Sequence, residues 1–231
     1  MKKFYQAATA EPVEGSYTVA LDGRAIRTPG KAAFLVPSQP LAEAIAKEWD
    51  GQEDELDPFT MPLTGLAYAA IDRIGEHRDL VTKEIAAYAE TDLLCYRAGA
   101  PRELVQKQSD AWQPILDWAA QDLGIALDVV QGITPLNHPR ASLDKAWDVL
   151  AACSDHALSG LSRLTHITGS VILGLAVLHR RIEAADAYEL AHLEDRWQAD
   201  QWGADEEAEE RHEMRRVDLL AAEKYLVLLG E

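Results

Sequence analysis

Apolar positions in the first forty residues come in short runs separated by turn residues. Tyr17-Thr-Val-Ala-Leu21 and Ala25-Ile-Arg27 flank Asp22-Gly23, a two-residue hairpin signal between strand-like runs. Ala33-Phe-Leu-Val36, closed by Pro37, predicts a third short strand. From Ser38 onward the spacing becomes helical. Ser38 is placed to cap a helix that Pro40 opens and that runs to about Gln52, with Leu41, Ile45 and Trp49 on one face. Glu53 to Pro58 is a turn-rich break. Beyond it the pattern predicts helices over Pro62 to Ile74, Arg78 to Glu90, Glu103 to Leu123, Leu143 to Ala152, Ser154 to Leu164, Ile167 to Arg180, Glu183 to Gln201 and Glu206 to Leu229. Leu93-Leu-Cys-Tyr96 and Leu127-Asp-Val-Val-Gln131 fit a strand or a connector equally well. The fold class expected is α+β, with a small β-containing N-terminal domain over residues 1–75 and a larger all-helical C-terminal domain over residues 76–231.

Charge adds to this picture mainly by exclusion. The formal net charge is −17 over 231 residues. A phosphate backbone or an anionic lipid surface repels such a chain, so nucleic-acid and membrane-surface partners are disfavoured. Solubility alone accounts for most of the acidity, but the excess is local: from Glu183 to Glu213 there are twelve Asp and Glu residues against two arginines, Arg196 and Arg211. The longest apolar run, Ile167 to Leu178, is 12 residues and holds Thr168, Gly169, Ser170 and Gly174. A membrane span needs about 20, so a buried core helix is expected there. Two cysteines, Cys95 and Cys153, make no disulfide framework and no metal-ligand pairing. The lead Met1-Lys2-Lys3-Phe4-Tyr5 has no signal-peptide pattern.

Chemical motifs are scarce. Gly169-Ser-Val-Ile-Leu-Gly174 lacks the Lys and Ser/Thr of a phosphate loop, and its apolar character points to close helix packing. There is no Gly-x-Ser-x-Gly elbow. Cys153 with His156, His192 with Glu194, and His212 with Glu213 are isolated pairs without the spacing that completes a metal site. No catalytic residues, metal ligands or cofactor are therefore expected. The competing enzymatic reading is a metal-dependent hydrolase using C-terminal Asp and Glu with His192 or His212. A third reading is a plain structural subunit of a stable complex.

One carboxylate stands out. At roughly 100° per residue, Leu190, Leu193 and Trp197 form an apolar stripe, and Glu194 falls on it rather than opposite it, as does Gln201. A carboxylate on a packing face is costly unless it is paired or the face docks a partner. The bland alternative is an internal pair with Arg211, Arg215 or Arg216 on the next helix. In Trp202-Gly-Ala-Asp205-Glu-Glu207, Gly203 suits a helix end, Asp205 an N-cap, and Glu206 and Glu207 the positive end of the next helix. Trp197 and Trp202 fit either a core or an interaction hot spot rimmed by acids.

Trp197-Gln-Ala-Asp-Gln-Trp202-Gly-Ala-Asp205-Glu-Glu207-Ala-Glu209 resembles a motif of the mitochondrial and alphaproteobacterial ATP synthase assembly chaperones that bind the α subunit of the catalytic head. Met61-Pro-Leu-Thr64 with Ala69-Ala-Ile-Asp72, Tyr88 to Arg97, and Trp112 to Trp118 agree in order, as do Lys3-Phe-Tyr5, Leu21-Asp-Gly-Arg24 and Arg27-Thr-Pro29. The resemblance implies a β-containing N-terminal and a helical C-terminal domain, no enzymatic activity and no cofactor. It also implies capture of the unassembled α subunit, whose subunit-facing apolar surfaces are kept from aggregating until β takes over. Acidic residues of the C-terminal domain are tied to that function in the family; here this is carried onto Glu194, with Asp205 and Glu207 behind it and Trp197 and Trp202 as partner-binding neighbours. The short lead suggests a bacterial cytoplasmic member, with the mitochondrial matrix the alternative for a mature eukaryotic form.

Overall fold

The structure, a computed structural model, describes residues 2–203 and 206–230. Strands β1 (Ala8–Val13), β2 (Ser16–Leu21) and β3 (Arg24–Ala25) form an antiparallel sheet in that order. Both connections are two-residue turns with positive φ throughout, Glu14 (43°) with Gly15 (84°) and Asp22 (48°) with Gly23 (78°), the handedness that matches strand twist. Asp22 is fixed further by accepting the N–H groups of Gln6 and Ala7. Strand β1 was not expected, because Glu11-Pro12 interrupts its apolar pattern. Proline is tolerated there because β1 lies at the sheet edge. The strand expected over Ala33–Val36 is corrected to two isolated bridges, Arg27 with Ala33 and Tyr17 with Val36. Between them the Thr18 hydroxyl, rather than a backbone N–H, donates to the Phe34 carbonyl at 2.7 Å. Phe34 and Val36 are nonetheless buried, so the run is apolar for the core's sake.

Packing divides the chain into two units. The first comprises 1–78, 154–160 and 224–231, and the second 79–153 and 161–223. The sequence-level division at residue 75 is contiguous, whereas these units are not. In the first, helix α1 (Gln39–Asp50) starts at Ser38, whose Oγ accepts the Leu41 N–H, and lies on β1 and β2 with Leu41, Ala42, Ile45 and Trp49 buried. Its Glu48 carboxylate accepts the N–H groups of Leu63 and Thr64, each at 2.8 Å, and the Thr64 hydroxyl at 2.7 Å. These bonds start helix α2 (Pro62–Tyr68), and burial raises the Glu48 pKa against them. A wide turn over 69–74 then leads into α3 (Gly75–Ala86), which is kinked at His77. The non-helical His77 (φ −130°, ψ 35°) falls between the two helices expected over 62–74 and 78–90. Asp72 accepts the Gly30 N–H at 2.8 Å, and a Cβ at Gly30 would lie 2.8 Å from its Oδ1.

Helices α4 (Arg102–Trp118), α5 (Arg140–Ala152), α6 (Asp155–Thr168), α7 (Val171–Leu178), α8 (Ala184–Ala191), α9 (Leu193–Trp202) and α10 (Glu206–Leu229) follow. The ends of α6 and α10 belong to the first unit, where Ser159 Oγ donates to the Leu66 carbonyl at 2.7 Å and His156 Nδ1 lies 2.6 Å from Tyr225 Oη. The two ambiguous segments resolve against each other in the second unit. There Tyr96–Arg97 (β4) and Val130–Gln131 (β5) pair in parallel. Helix α7 is buried from Val171 to Val177. A Cβ at Gly174 would approach Leu161 Cδ1 and Thr165 Oγ1 to 2.9 Å, which is the close helix packing the glycine spacing predicts. The break between α6 and α7 falls at Gly169 (φ 68°) and Ser170, later than the expected start at Ile167. Ser170 Oγ accepts the Leu173 N–H and donates to the fully buried Asp92 carboxylate at 2.7 Å. Among the described residues no helix is long and apolar enough to cross a membrane.

Candidate functional site

The helix expected over Glu183 to Gln201 is two helices, α8 and α9, broken at His192 (φ −106°, ψ 23°). The cause is local. His192 Nδ1 sits 3.0 Å from the Tyr188 carbonyl four residues back, the same oxygen that accepts the His192 N–H at 3.1 Å. A carbonyl only accepts, so Nδ1 carries the proton. The imidazole stacks on the Tyr188 ring, centroids 4.1 Å apart, and meets the His212 ring edge-on at 4.9 Å. Tyr188 Oη donates to the His212 carbonyl at 2.8 Å and lies 2.7 Å from His212 Nδ1. With its single hydrogen committed, the hydroxyl accepts from His212 Nδ1. This Tyr188–His192–His212 cluster ties α8, the break and α10 together.

Around it lies a groove of about 910 Å³, lined from α8 by Tyr188 and Glu189, from α9 by Asp195, Arg196, Gln198, Ala199, Asp200 and Trp202, and from α10 by His212, Glu213 and Arg216. Both arginines are used internally, Arg196 by Glu189 and Arg216 by Glu213. Asp195 and Asp200 have no ion pair among the described residues, so the rim is acidic. Trp202 is 76% exposed, an expensive position for the largest apolar side chain. Its ring meets Trp197 edge-on, centroids 6.2 Å apart at 89°.

The break corrects the phase that placed Glu194 on a continuous stripe. Glu194 is half-buried on the α4 side, outside the groove, and accepts from Nε2 of the fully buried Gln108. That partner is a neutral amide and not Arg211, Arg215 or Arg216. Gln108 is itself fixed, its Oε1 accepting the Ala98 N–H at 2.7 Å and its carbonyl accepting from the buried Arg97 guanidinium at 2.8 Å. Arg97 lies over Trp112, whose Nε1 donates to the Leu190 carbonyl at 2.9 Å. Trp197 is half-buried, is not among the residues lining the groove, and meets Trp202 edge-on. Asp205 lies outside the described residues, as does the side chain of Glu207. Sequence reasoning passed over Asp195, Asp200 and Tyr188. The two acids were counted in the acidic excess, but no face could be assigned to them without knowing where the helix breaks. For the metal reading, His192 and His212 are engaged with Tyr188. No group of three His, Cys, Asp or Glu residues that could hold a metal occurs among the described residues.

Burial lowers the His192 pKa below the ordinary 6.5, with His212 adding to the effect and Asp195 opposing it. The groups facing it are Tyr188, His212, Asp195 and Arg215. A depressed folded pKa means the unfolded chain binds more protons, so this contribution to stability is present above pH 6.5 and is lost as pH falls through the folded value. Thermal unfolding followed from pH 7.5 to 5 is expected to show this loss, and His192→Phe, which keeps the stack, is expected to flatten it.

The model of the family described as ATP12 chaperone protein matches residues 2–120. The chain is 25% identical over 230 residues to the mitochondrial protein atp12 of Schizosaccharomyces pombe, covering 94% of this chain and 78% of that one. It superposes on the crystal structure of Atp12 from Paracoccus denitrificans with a TM-score of 0.94 at 37% identity, covering 99% of this chain and 98% of that chain. A protein of Agrobacterium tumefaciens superposes with a TM-score of 0.95 at 40% identity, covering 99% and 86%. The class these likenesses define is the molecular chaperone. The chain belongs to the ATP12 chaperone family, which serves ATP synthase assembly.

Proposed function

We propose that this chain captures the unassembled α subunit of the ATP synthase catalytic head and shields its apolar subunit-facing surface until the β subunit replaces the chaperone. It does so as a binding protein, without a catalysed reaction and without a cofactor, in the bacterial cytoplasm or, for a mature eukaryotic form, the mitochondrial matrix. The observation that carries this reading is Trp202, exposed on an acidic groove whose arginines are already paired. An exposed tryptophan supplies an apolar anchor, and Asp195 and Asp200 supply a field that orients a basic partner. A pull-down from lysate read by mass spectrometry tests it. The α subunit is expected as the dominant partner, and the chaperone is expected to be absent from finished ATP synthase. Recovery of an unrelated dominant partner overturns the reading.

Glu194 enters as a second contact whose charge, beyond its bond to Gln108, is read by the client. Glu194→Gln retains an oxygen able to accept from Gln108 Nε2, so the fold is expected to hold while capture weakens severalfold. Co-purification with α subunit and thermal unfolding of the same variant check this. Unchanged capture, or a loss that tracks unfolding, makes Glu194 a purely structural acceptor.

A further inference from the structure

The first unit carries an exposed apolar feature that capture at Trp202 does not use. Phe59 is 95% exposed and Phe4 is 66% exposed. Neither sits on a loose end. Phe59 lies in a single helical turn, Pro58–Thr60, started by Asp57, whose Oδ1 accepts the Phe59 N–H at 3.0 Å. The Asp57 N–H donates to Gln52 Oε1 at 2.7 Å, and Gln52 Nε2 donates to Thr60 Oγ1 at 2.9 Å and to the Glu48 carbonyl at 3.0 Å. Gln52 is buried, so one buried amide clamps both ends of the turn that presents Phe59. Phe4 lies on a segment bound along the start of the same loop. The Lys3 N–H donates to the Asp54 carbonyl at 2.9 Å, Lys3 Nζ donates to the carbonyls of Asp50 and Gln52, and Lys2 bridges Glu55. The Phe4 ring packs edge-on against the buried Tyr5, centroids 5.4 Å apart.

Two aromatic rings are thus held in water by ordered backbone. The ordering cost of a contact is already met in the free protein, which is how interface anchors gain affinity. The surroundings state the sign of the partner. Glu53, Asp54, Glu55 and Asp57 are exposed on the loop that carries Phe59 and binds the segment of Phe4, and none of them is in an ion pair among the described residues. The Lys3 ammonium is occupied by carbonyls. A surface that accepts this face needs an apolar depression bordered by lysine or arginine.

We infer that the Phe4–Phe59 face of the first unit is a second docking surface for the client, seating on an apolar, basic-rimmed patch of the α subunit. This rests on the proposed capture of the α subunit. Two contacts on one client act through effective concentration, so losing either weakens capture without abolishing it.

The test is a titration of the full-length chaperone against freshly refolded α subunit, with aggregation followed by light scattering. Phe59→Ser is expected to raise the concentration giving half protection at least tenfold, about 1.4 kcal/mol, with the unfolding temperature unchanged. Phe4→Ser is expected to act in the same direction. Reversing the rim with Glu53→Lys and Glu55→Lys is expected to weaken protection at low salt most, because surface charge is screened at high salt. If wild type protects and Phe59→Ser protects at the same concentration, the second surface does not exist. A wild-type dimer that Phe59→Ser converts to monomer assigns the face to a second copy of this chain and overturns the inference. No protection by wild type overturns the α-subunit reading itself.

Discussion

Replacing Asp92 with alanine is expected to lower the unfolding temperature by roughly 6–12 °C, the largest stability loss of any single carboxylate deletion in this chain. Asp92 is fully buried, and it receives Ser170 Oγ at 2.7 Å, the Ile172 N–H at 3.1 Å and the Leu94 N–H at 3.1 Å. It joins the turn at Leu93–Cys95 to the first residues of α7, the most deeply buried helix. Alanine leaves three buried donors without an acceptor, and each such group costs about 1–3 kcal/mol. Relaxation recovers part of this, leaving about 3 kcal/mol, and each kcal/mol moves the midpoint of a domain of this size by about 2–4 °C. Differential scanning calorimetry checks the shift, and a change below 2 °C would show that water or rearrangement satisfies the donors.

The same residue has a pH signature. Burial, opposed by its hydrogen bonds, raises the Asp92 pKa from 3.8 to about 6. The folded state therefore holds more protons than the unfolded chain between these values. The stability this provides is fully present below pH 3.8 and is lost as pH rises through about 6. Asp92→Asn removes that contribution to the slope. It is expected to be less damaging than alanine, because its amide oxygen still accepts while its NH2 faces at least one backbone donor.

How far the sequence reveals this molecule depends on whether a feature is local. The hairpin at Asp22-Gly23 is local, since both residues adopt positive φ readily, and it was legible. The equivalent turn at Glu14-Gly15 was not, because glutamate rarely marks a left-handed position. Helices are legible from their period, but their breaks are set by single side chains. His192 leaves helical geometry while its Nδ1 and its N–H share the Tyr188 carbonyl, and Gly169 with Ser170 interrupts a run that is otherwise apolar. Every phase argument across such a break drifts, so the stripe through Leu190, Leu193 and Trp197 cannot by itself place Glu194, which is half-buried and bonded to Gln108. Its partner, Gln108, is 86 residues away, beyond any local rule. The resemblance motifs have physical content as well. Asp72 holds Gly30, Glu48 starts the helix at Pro62-Leu63-Thr64, Asp92 caps α7 and Arg97 covers Trp112. Most of what makes the family recognisable therefore maintains the fold; of the groove, Trp202 is legible in the sequence, whereas Asp195, Asp200 and Tyr188 are not.

Trp202→Ser is expected to separate capture from stability more sharply than any other substitution. The ring is mostly in water and contributes an edge-on pair with Trp197. Such a pair contributes about 0.5–1.5 kcal/mol at most beyond area burial, so the unfolding temperature is expected to move by only a few degrees. Binding responds differently, because an aromatic anchor seated in a partner's pocket contributes about 2 kcal/mol or more, near thirtyfold in affinity. Trp202→Phe retains much of the apolar area and is expected to fall between wild type and serine. Asp195→Asn and Asp200→Asn are expected to change mainly the association rate and its salt dependence, since exposed acids steer more than they hold. This ordering distinguishes an anchor from a charge effect. If the aspartate variants abolish capture while Trp202→Ser leaves it intact, the client is held by charge alone and the exposed tryptophan has another purpose. If serine at 202 weakens capture and phenylalanine restores part of it, with the unfolding temperature steady throughout, the groove between α8, α9 and α10 is where the client is held.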